Sequence, residues 1–479
     1  MAAKNEGKGI TVSKQDDIAE WYSQVVIKSE IADYAPVKGC MIIRPLGYEI
    51  WQNISNFLDC NIKKLGVRNA YFPLFIPESF FKKEAEHAEG FSPEVAWVEK
   101  KDDGGERLAI RPTSETIMYN SYANWIRSWR DLPLRINQWC NIVRWEVKDV
   151  KMFLRSREFL WQEGHCVYAT EEERNEETQK YLEEYRKVVE DLIAVPVILG
   201  KKTDAEKFAG ADRTYTIESR MPDGKALQMG TSHDLSQGFA KGFGIKFVGK
   251  DEQEHYPFQN SWGLSTRTIG ALILTHSDNK GLVLPPKVAP TKAVIVPILF
   301  DDTREKVLDK AYEINSQLNE SGICSFVDSR VDYSPGWKFN EWEMKGVPFR
   351  IEFGPKDMEK ESAVLVRRDT GGKKTVELKK IVDEIKTLTE TMQKEMFEKA
   401  REEFNKNIVE VKTWDEFKKA IENKQFISTC HCGSGECEDE IKAETNGATT
   451  RAIITENTEG KCVKCDKEAA YRVYFSKNY

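Results

Sequence analysis

The chain has 479 residues, 40% hydrophobic and 31% charged, with a formal net charge of −7. That length exceeds one ordinary hydrophobic core and sets an expectation of two to four domains. The negative balance excludes a polycation that coats nucleic acid wholesale but leaves room for a local recognition surface. No apolar run approaches the ~20 residues that span a bilayer, so no membrane partner is expected.

The opening stretch, MAAKNEGKGITVSKQDDIAEW, lacks the charged-then-apolar pattern of a signal peptide, and a cytosolic location is expected. From Arg44 to Leu65, apolar residues at Leu46, Ile50, Ile54, Phe57, Leu58, Ile62 and Leu65 recur every three or four positions. They predict an amphipathic helix stopped by Gly66. NAYFPLFIP then reads as a strand with Pro73 inside it. Proline cannot donate to a ladder, so the strand is expected at an edge or a subunit boundary. VRWEVKDVKMFLRSREFLWQEGHCV, from Val143 to Val167, reads as two β-rich segments joined by a charged loop. A second amphipathic helix is predicted over Glu171 to Ile193. The prolines at 285, 286 and 290 in GLVLPPKVAP mark a linker.

Beyond that linker the pattern alternates. KAVIVPILF, CSFVDS, PFRIEFG and SAVLVRR read as strands. Thr303 to Glu320, PGWKFNEWEMKG and Leu378 to Phe404 read as helices. Strand and helix in turn predict a small α/β domain with a mainly parallel sheet. The remainder, from about Asn405, carries half of the ten cysteines.

Three stretches carry chemistry. Between Arg144 and His165, basic residues interleave with Glu146, Glu158, Glu163, Phe159 and Trp161. In a strand, residues two apart share a face, so Arg144 and Glu146 are expected to point one way. The same rule groups Phe159, Trp161, Glu163 and His165. A guanidinium fork suits phosphate, and a carboxylate beside it can accept from an exocyclic amine. A salt-bridged sheet surface is the plainer reading of Arg-x-Glu. AIRPTSETIMY places Thr113, Ser114 and Glu115 where a strand gives way to a helix, and alone reads as a helix cap. SWGLSTRTIGALI combines a Gly-containing turn, Ser265, Thr266 and Arg267 with an apolar helix, a sensible phosphate site.

In this order, the chain resembles motifs 1, 2 and 3 of class II aminoacyl-tRNA synthetases. RPTSET, NQWCNIVRWE, FLWQEGH, KFAGA, GTSH, NSWGLSTRTIG, YSPGWKFNEWEMKGVP and GPKDM are similar to strings of the prolyl-tRNA synthetase family, archaeal and eukaryotic-cytosolic type, from about residue 15 to Tyr479. The resemblance implies a mixed α/β fold in three domains. These are an α+β catalytic domain with an antiparallel sheet (1–288), an α/β anticodon-binding domain (289–404) and a small zinc-binding α/β domain (405–479). It also implies ATP-dependent ligation of L-proline to tRNA(Pro) through prolyl-adenylate, by a homodimer with the Pro73 strand at its interface. Only ~100 residues separate motifs 2 and 3, so no bacterial-type editing insertion is expected.

The resemblance assigns roles residue by residue. Arg144 would grip the α-phosphate and the substrate carboxylate, Glu146 the adenine amine, and Phe159 would stack on the base. Arg155 would reach the distal phosphates. Gln228, Thr231 and Ser265 would contact nucleoside or phosphates, and Arg267 would stack over ATP and meet its γ-phosphate. Mg²⁺ would accompany ATP. The proline pocket would comprise Thr113, Glu115, Trp161, Glu163, His165, Phe208 and His233, with Arg144. Glu343, Arg350 and Lys356 would read two anticodon guanines.

Cys432 and Cys437, then Cys462 and Cys465 after 24 intervening residues, make two cysteine pairs. In a cytosolic chain such pairs favour tetrahedral Zn²⁺ over disulfides, and the family resemblance supports a structural zinc there. Cys430 and His431 are spare donors immediately upstream. The terminal Tyr479 is expected, by the same resemblance, to fold back towards the active site.

Overall fold

The structure, a computed structural model, describes residues 9–85, 94–99 and 105–479. Met1 to Lys8, part of the stretch read for a leader, lie outside the described residues. Among those described, no helix is long and apolar enough to cross a membrane.

A single eleven-stranded sheet organises most of the chain. Its middle is antiparallel: Arg213–Arg220, Ala226–Ser236, Phe258–Ser265, Glu158–Tyr168 and Leu134–Val143 lie side by side in that order. One face is covered by the helices Ile18–Lys28, Pro45–Lys64, Glu171–Lys187 and Arg267–His276, whose apolar stripes meet in one core with Trp21, Ile54, Leu58, Tyr181 and Leu272 buried. Each such aliphatic side chain contributes about 1.5–3 kcal/mol on burial, which fixes which face of each strand turns inward. Along Glu158–Tyr168 the residues at 160, 162, 164 and 166 face that core, leaving 159, 161, 163 and 165 on the other side. Gly164 is required here: the Trp262 indole, stacked on Tyr181 at 4.1 Å between ring centroids, fills the space a Cβ would take.

A second sheet holds Ser325–Val327, Ala293–Pro297, Phe349–Phe353, Ser362–Arg367 and Lys373–Glu377 in that order. Two of its pairings are parallel and two antiparallel, so it is mixed rather than mainly parallel. The strand Lys373–Glu377 escaped the sequence reading because it is an edge strand buried only at Val376. Its lysines follow the usual protection of a free edge.

Other expectations are corrected in the same way. NAYFPLFIP is not one strand: Arg68–Asn69 ends the large sheet, Phe75–Pro77 pairs elsewhere, and exposed Pro73 lies between them. Arg144 and Glu146 stand in the loop after Val143, not on a strand. Gly263 sits within Phe258–Ser265 rather than in a turn. The proline-rich connection at 281–290 is irregular but buried, with Leu282, Leu284 and Val288 in the core under the large sheet and Val283 in that of the second sheet.

The tail, from residue 408, has its own core around Phe417, Ile441, Val473 and Phe475. It is nonetheless continuous with the large sheet. Ala448–Glu456 pairs with Tyr471–Lys477 and also with Ile198–Lys201, through Ile453 opposite Lys201.

Candidate active site

Above the open face of the large sheet lies a cavity of about 700 Å³. Thr113, Glu115, Arg144, Glu146, Phe159, Trp161, Glu163, His165, Phe208, Gln228, Thr231, His233, Ser265 and Arg267 all line it. Arg155 lines a smaller adjoining cavity of about 310 Å³, which shares Arg144, Glu146, Phe159, Gln228, Ser265 and Arg267 with the first. These residues span some 150 positions of sequence, and the sheet register gathers them. His165 pairs with Ser261, Glu163 with Gly263, and Gly263 with Thr231.

One end of the cavity is anionic and tightly bonded. The Glu163 carboxylate accepts from Ser114 N–H at 3.2 Å, from Gln138 Nε2 at 3.0 Å and from the Ser114 hydroxyl, and meets His165 Nε2 at 3.2 Å. Burial alone would raise its pKa, but the hydrogen bond and charge of His165, with Ser114 and Gln138, hold it below the usual carboxylate range. Burial would likewise lower His165. The bond to Glu163 and the charges of Glu115 and Glu163 overcome this and raise it. Tyr119 Oη completes the clamp on His165 Nδ1 at 3.0 Å. Thr113 donates to the neighbouring Glu115.

His233 is handled oppositely. Thr214 and Thr231 hydroxyls flank its two nitrogens at 3.0 Å each, and burial, with repulsion from His165 and Arg144, lowers its pKa to about 3. It is a neutral ring, lying 4.7 Å from that of Phe208.

The other end is cationic. Among the described residues the Arg144 guanidinium has no hydrogen-bond partner; it lies 5.8 Å from the ring centres of both Phe159 and Trp161. Surrounding protein lowers its pKa, against the pull of Glu146, Glu115 and Glu163. Arg267 is held by the carbonyls of Leu154 at 3.1 Å and Gln228 at 3.2 Å. Burial, then the neighbouring Arg144, Arg155 and Arg451, lower it to about 10. Such crowding of like charge suits a site completed by an anion.

Sequence reasoning missed several supports. Ser114 is positioned as a helix cap but makes no side-chain cap bond, and its hydroxyl is spent on Glu163. Gln138, Tyr119 and Thr214 orient the titratable groups, and no spacing in the sequence pointed to them.

Farther off, Arg350 forms hydrogen bonds to Glu343 at 3.3 Å and Glu352 at 3.0 Å, beside Trp342 in a narrow cleft. Lys356, on the short helix Pro355–Glu359, is exposed and not part of that bonded group.

In the tail, Cys437 and Cys462 sulfurs are 3.7 Å apart and those of Cys432 and Cys465 3.6 Å, with no disulfide. His431 joins Cys432, Cys437 and Cys462 within 4.8 Å. Its Nδ1 accepts from Gly433 N–H at 3.1 Å, while its buried Nε2 has no hydrogen-bond partner among the described residues. Cys430 stands apart, its sulfur against the Glu459 carbonyl. Converging thiols of this kind fit a tetrahedral zinc ion.

Family models match three segments: "tRNA synthetase class II core domain (G, H, P, S and T)" over residues 97–276, "Anticodon binding domain" over 292–388, and "Prolyl-tRNA synthetase, C-terminal" over 414–479. Proline–tRNA ligase 2 of Clostridioides difficile is 50% identical, covering 100% of both chains. Proline–tRNA ligase of Cenarchaeum symbiosum is 48% identical, covering 98% of this chain and 99% of its own. The crystal structure of prolyl-tRNA synthetase from Cryptosporidium parvum complexed with L-proline and AMP superposes with a TM-score of 0.93 at 43% identity, covering 100% of this chain and 99% of that one. With these likenesses running the length of both chains, and the motif residues gathered in one cavity, the chain belongs to the prolyl-tRNA synthetase family of class II aminoacyl-tRNA synthetases.

Proposed function

We propose that the chain ligates L-proline to tRNA(Pro) in two steps. The proline carboxylate attacks the α-phosphorus of ATP, forming prolyl-adenylate and releasing pyrophosphate. A hydroxyl of the terminal tRNA ribose then attacks the prolyl carbonyl, and AMP leaves. The observation that carries this reading is the polarity of the cavity. Its anionic end, with Glu115 and Glu163, matches a secondary ammonium, and Arg144 at the other end, with no hydrogen-bond partner among the described residues, matches a carboxylate and a phosphate.

Trp161 offers a flat wall to a pyrrolidine ring, and Thr113 and Phe208 close the same pocket. Neutral His233 adds polarity without a charge that would repel the amine. Glu146, Phe159 and Gln228 lie where the nucleoside would bind, with Thr231 and Ser265 alongside. Arg144, Arg155 and Arg267 neutralise the phosphates, which arrive with Mg²⁺ as part of the substrate. Phosphoryl chemistry of this type needs positioning and charge rather than a dedicated base. Proline-dependent ATP–pyrophosphate exchange tests the assignment; exchange with another amino acid and not with proline would sink it.

The same reading places the catalytic domain at 1–288, the anticodon-binding domain at 289–404 and the zinc domain at 405–479. Glu343, Arg350 and Lys356 would meet the anticodon guanines. Cys432, Cys437, Cys462 and Cys465 would hold Zn²⁺, which supplies a structural cross-link and, with four thiolates, no open position for catalysis. Residues 169–257 are taken up by the helices Glu171–Lys187 and Gly238–Phe243, a π-helical turn, three strands of the large sheet and the small pair Phe247–Val248 with Glu254–His255, which supports the lack of an editing insertion. The exposed Tyr71 and Phe75 on either side of Pro73 support a homodimer contact there. A cytosolic setting fits the ten free cysteines.

A further inference from the structure

The smaller cavity has a wall that comes from the tail. Arg451, on Ala448–Glu456, reaches across to Glu218 on Arg213–Arg220, donating from Nη2 at 2.9 and 3.0 Å and from Nε at 3.2 Å. Lys202 Nζ meets the same carboxylate at 2.6 Å. All three side chains are buried: Glu218 is 0% exposed, Arg451 3% and Lys202 5%. One carboxylate thus faces two cations away from water. Buried charge of this kind is costly unless something compensates it.

Lys202 and Arg451 line the cavity beside Arg144, Arg155 and Arg267, against the carboxylates of Glu146 and Glu206. Counting Glu218 as well, positive charge is still in excess. The repulsion is felt at Arg267, whose lowered pKa is due in part to Arg451. A polyphosphate entering this cavity would supply the missing negative charge. An adenylate, having lost its β- and γ-phosphates, would not.

Resting on the synthetase reading, we propose that Arg451 is a positioning residue for the polyphosphate end of ATP. Paired with Glu218 and Lys202, it brings positive charge from the tail to the wall beside Arg267, so tail docking and polyphosphate binding are linked. Linkage is reciprocal: the triphosphate and the departing pyrophosphate tighten the tail, and a docked tail tightens their binding.

The test compares ligands with and without the distal phosphates in Arg451→Met and Arg451→Lys. Arg451→Met should raise the KM for ATP and for pyrophosphate in exchange about tenfold, a loss of about 1.4 kcal/mol. Its affinity for a non-hydrolysable prolyl-adenylate analogue should change less than about twofold, and Arg451→Lys should recover most of the loss. Equal weakening of all three ligands, or of none, would overturn the proposal. Should Arg451→Met fail to fold, hydrogen exchange on the wild-type chain decides. Magnesium pyrophosphate should slow exchange in Ala448–Glu456 and the analogue should not, and no slowing by pyrophosphate would overturn it. Wild-type exchange with proline is the separate control for the enzyme assignment.

Discussion

Glu163 and His165, two residues apart on one strand and almost wholly buried, meet at 3.2 Å with their pKa values driven in opposite directions. Glu163, depressed, adds stability above the ordinary carboxylate value, which is lost as pH falls through its folded pKa. His165, raised, adds stability fully present below about 6.5 and lost as pH rises through its folded pKa. The wild-type melting temperature should therefore fall as pH climbs past that value. His165→Gln should flatten this alkaline limb and raise the KM for proline. An unchanged slope in the variant would show that the pair does not titrate as described.

Arg144→Ala should leave the protein folded, because the guanidinium has no hydrogen-bond partner among the described residues. Adenylation should drop by about 10²–10³-fold, the scale for losing a group that stabilises transition-state charge. Pyrophosphate exchange and a thermal melt on the same preparation check both halves. Near-normal exchange in a folded variant would remove Arg144 from the mechanism.

What could be read in sequence was whatever repeats locally. The side chains at 159, 161, 163 and 165 share the cavity because strand period forces it, and the three- and four-residue steps from Leu46 to Ile62 gave the buried helix stripe. Arg144 and Glu146 reach the same cavity for a different reason from the one expected. Their loop is pinned by Arg144 N–H to the Arg157 carbonyl and Arg157 N–H to the Gly39 carbonyl, both at 2.7 Å. No local pattern announces those bonds. The Gly164 and Trp262 contact, and the pairing of Glu218 with Arg451 across 233 positions, depend on which strands become neighbours. That is a property of topology rather than of spacing.

Arg350→Ala should raise the KM for tRNA about tenfold while leaving proline-dependent exchange intact. The Glu352 carboxylate that Arg350 leaves behind still meets Lys373 Nζ at 3.0 Å, so it is not stranded. Comparable loss in exchange and in tRNA charging would mean the substitution damages the whole chain rather than an anticodon contact.

Zinc content separates the sulfur cluster from a set of ordinary thiols. Metal analysis of the purified chain should give about one zinc per chain, and fewer than about 0.2 would defeat the assignment. Cys437→Ser should lose the metal and loosen the tail, seen as faster hydrogen exchange in Gly435–Glu444, because Cys437 is buried within the tail core. Cys430→Ser should keep it, since that sulfur lies against the Glu459 carbonyl instead of the cluster. His431 decides the ligand set. If four cysteines bind, His431→Phe retains the metal, and after cobalt substitution wild type and variant show the same visible bands of a tetrahedral site with sulfur donors only. A cobalt spectrum that shifts between wild type and His431→Phe would instead put the imidazole on the metal and release Cys465.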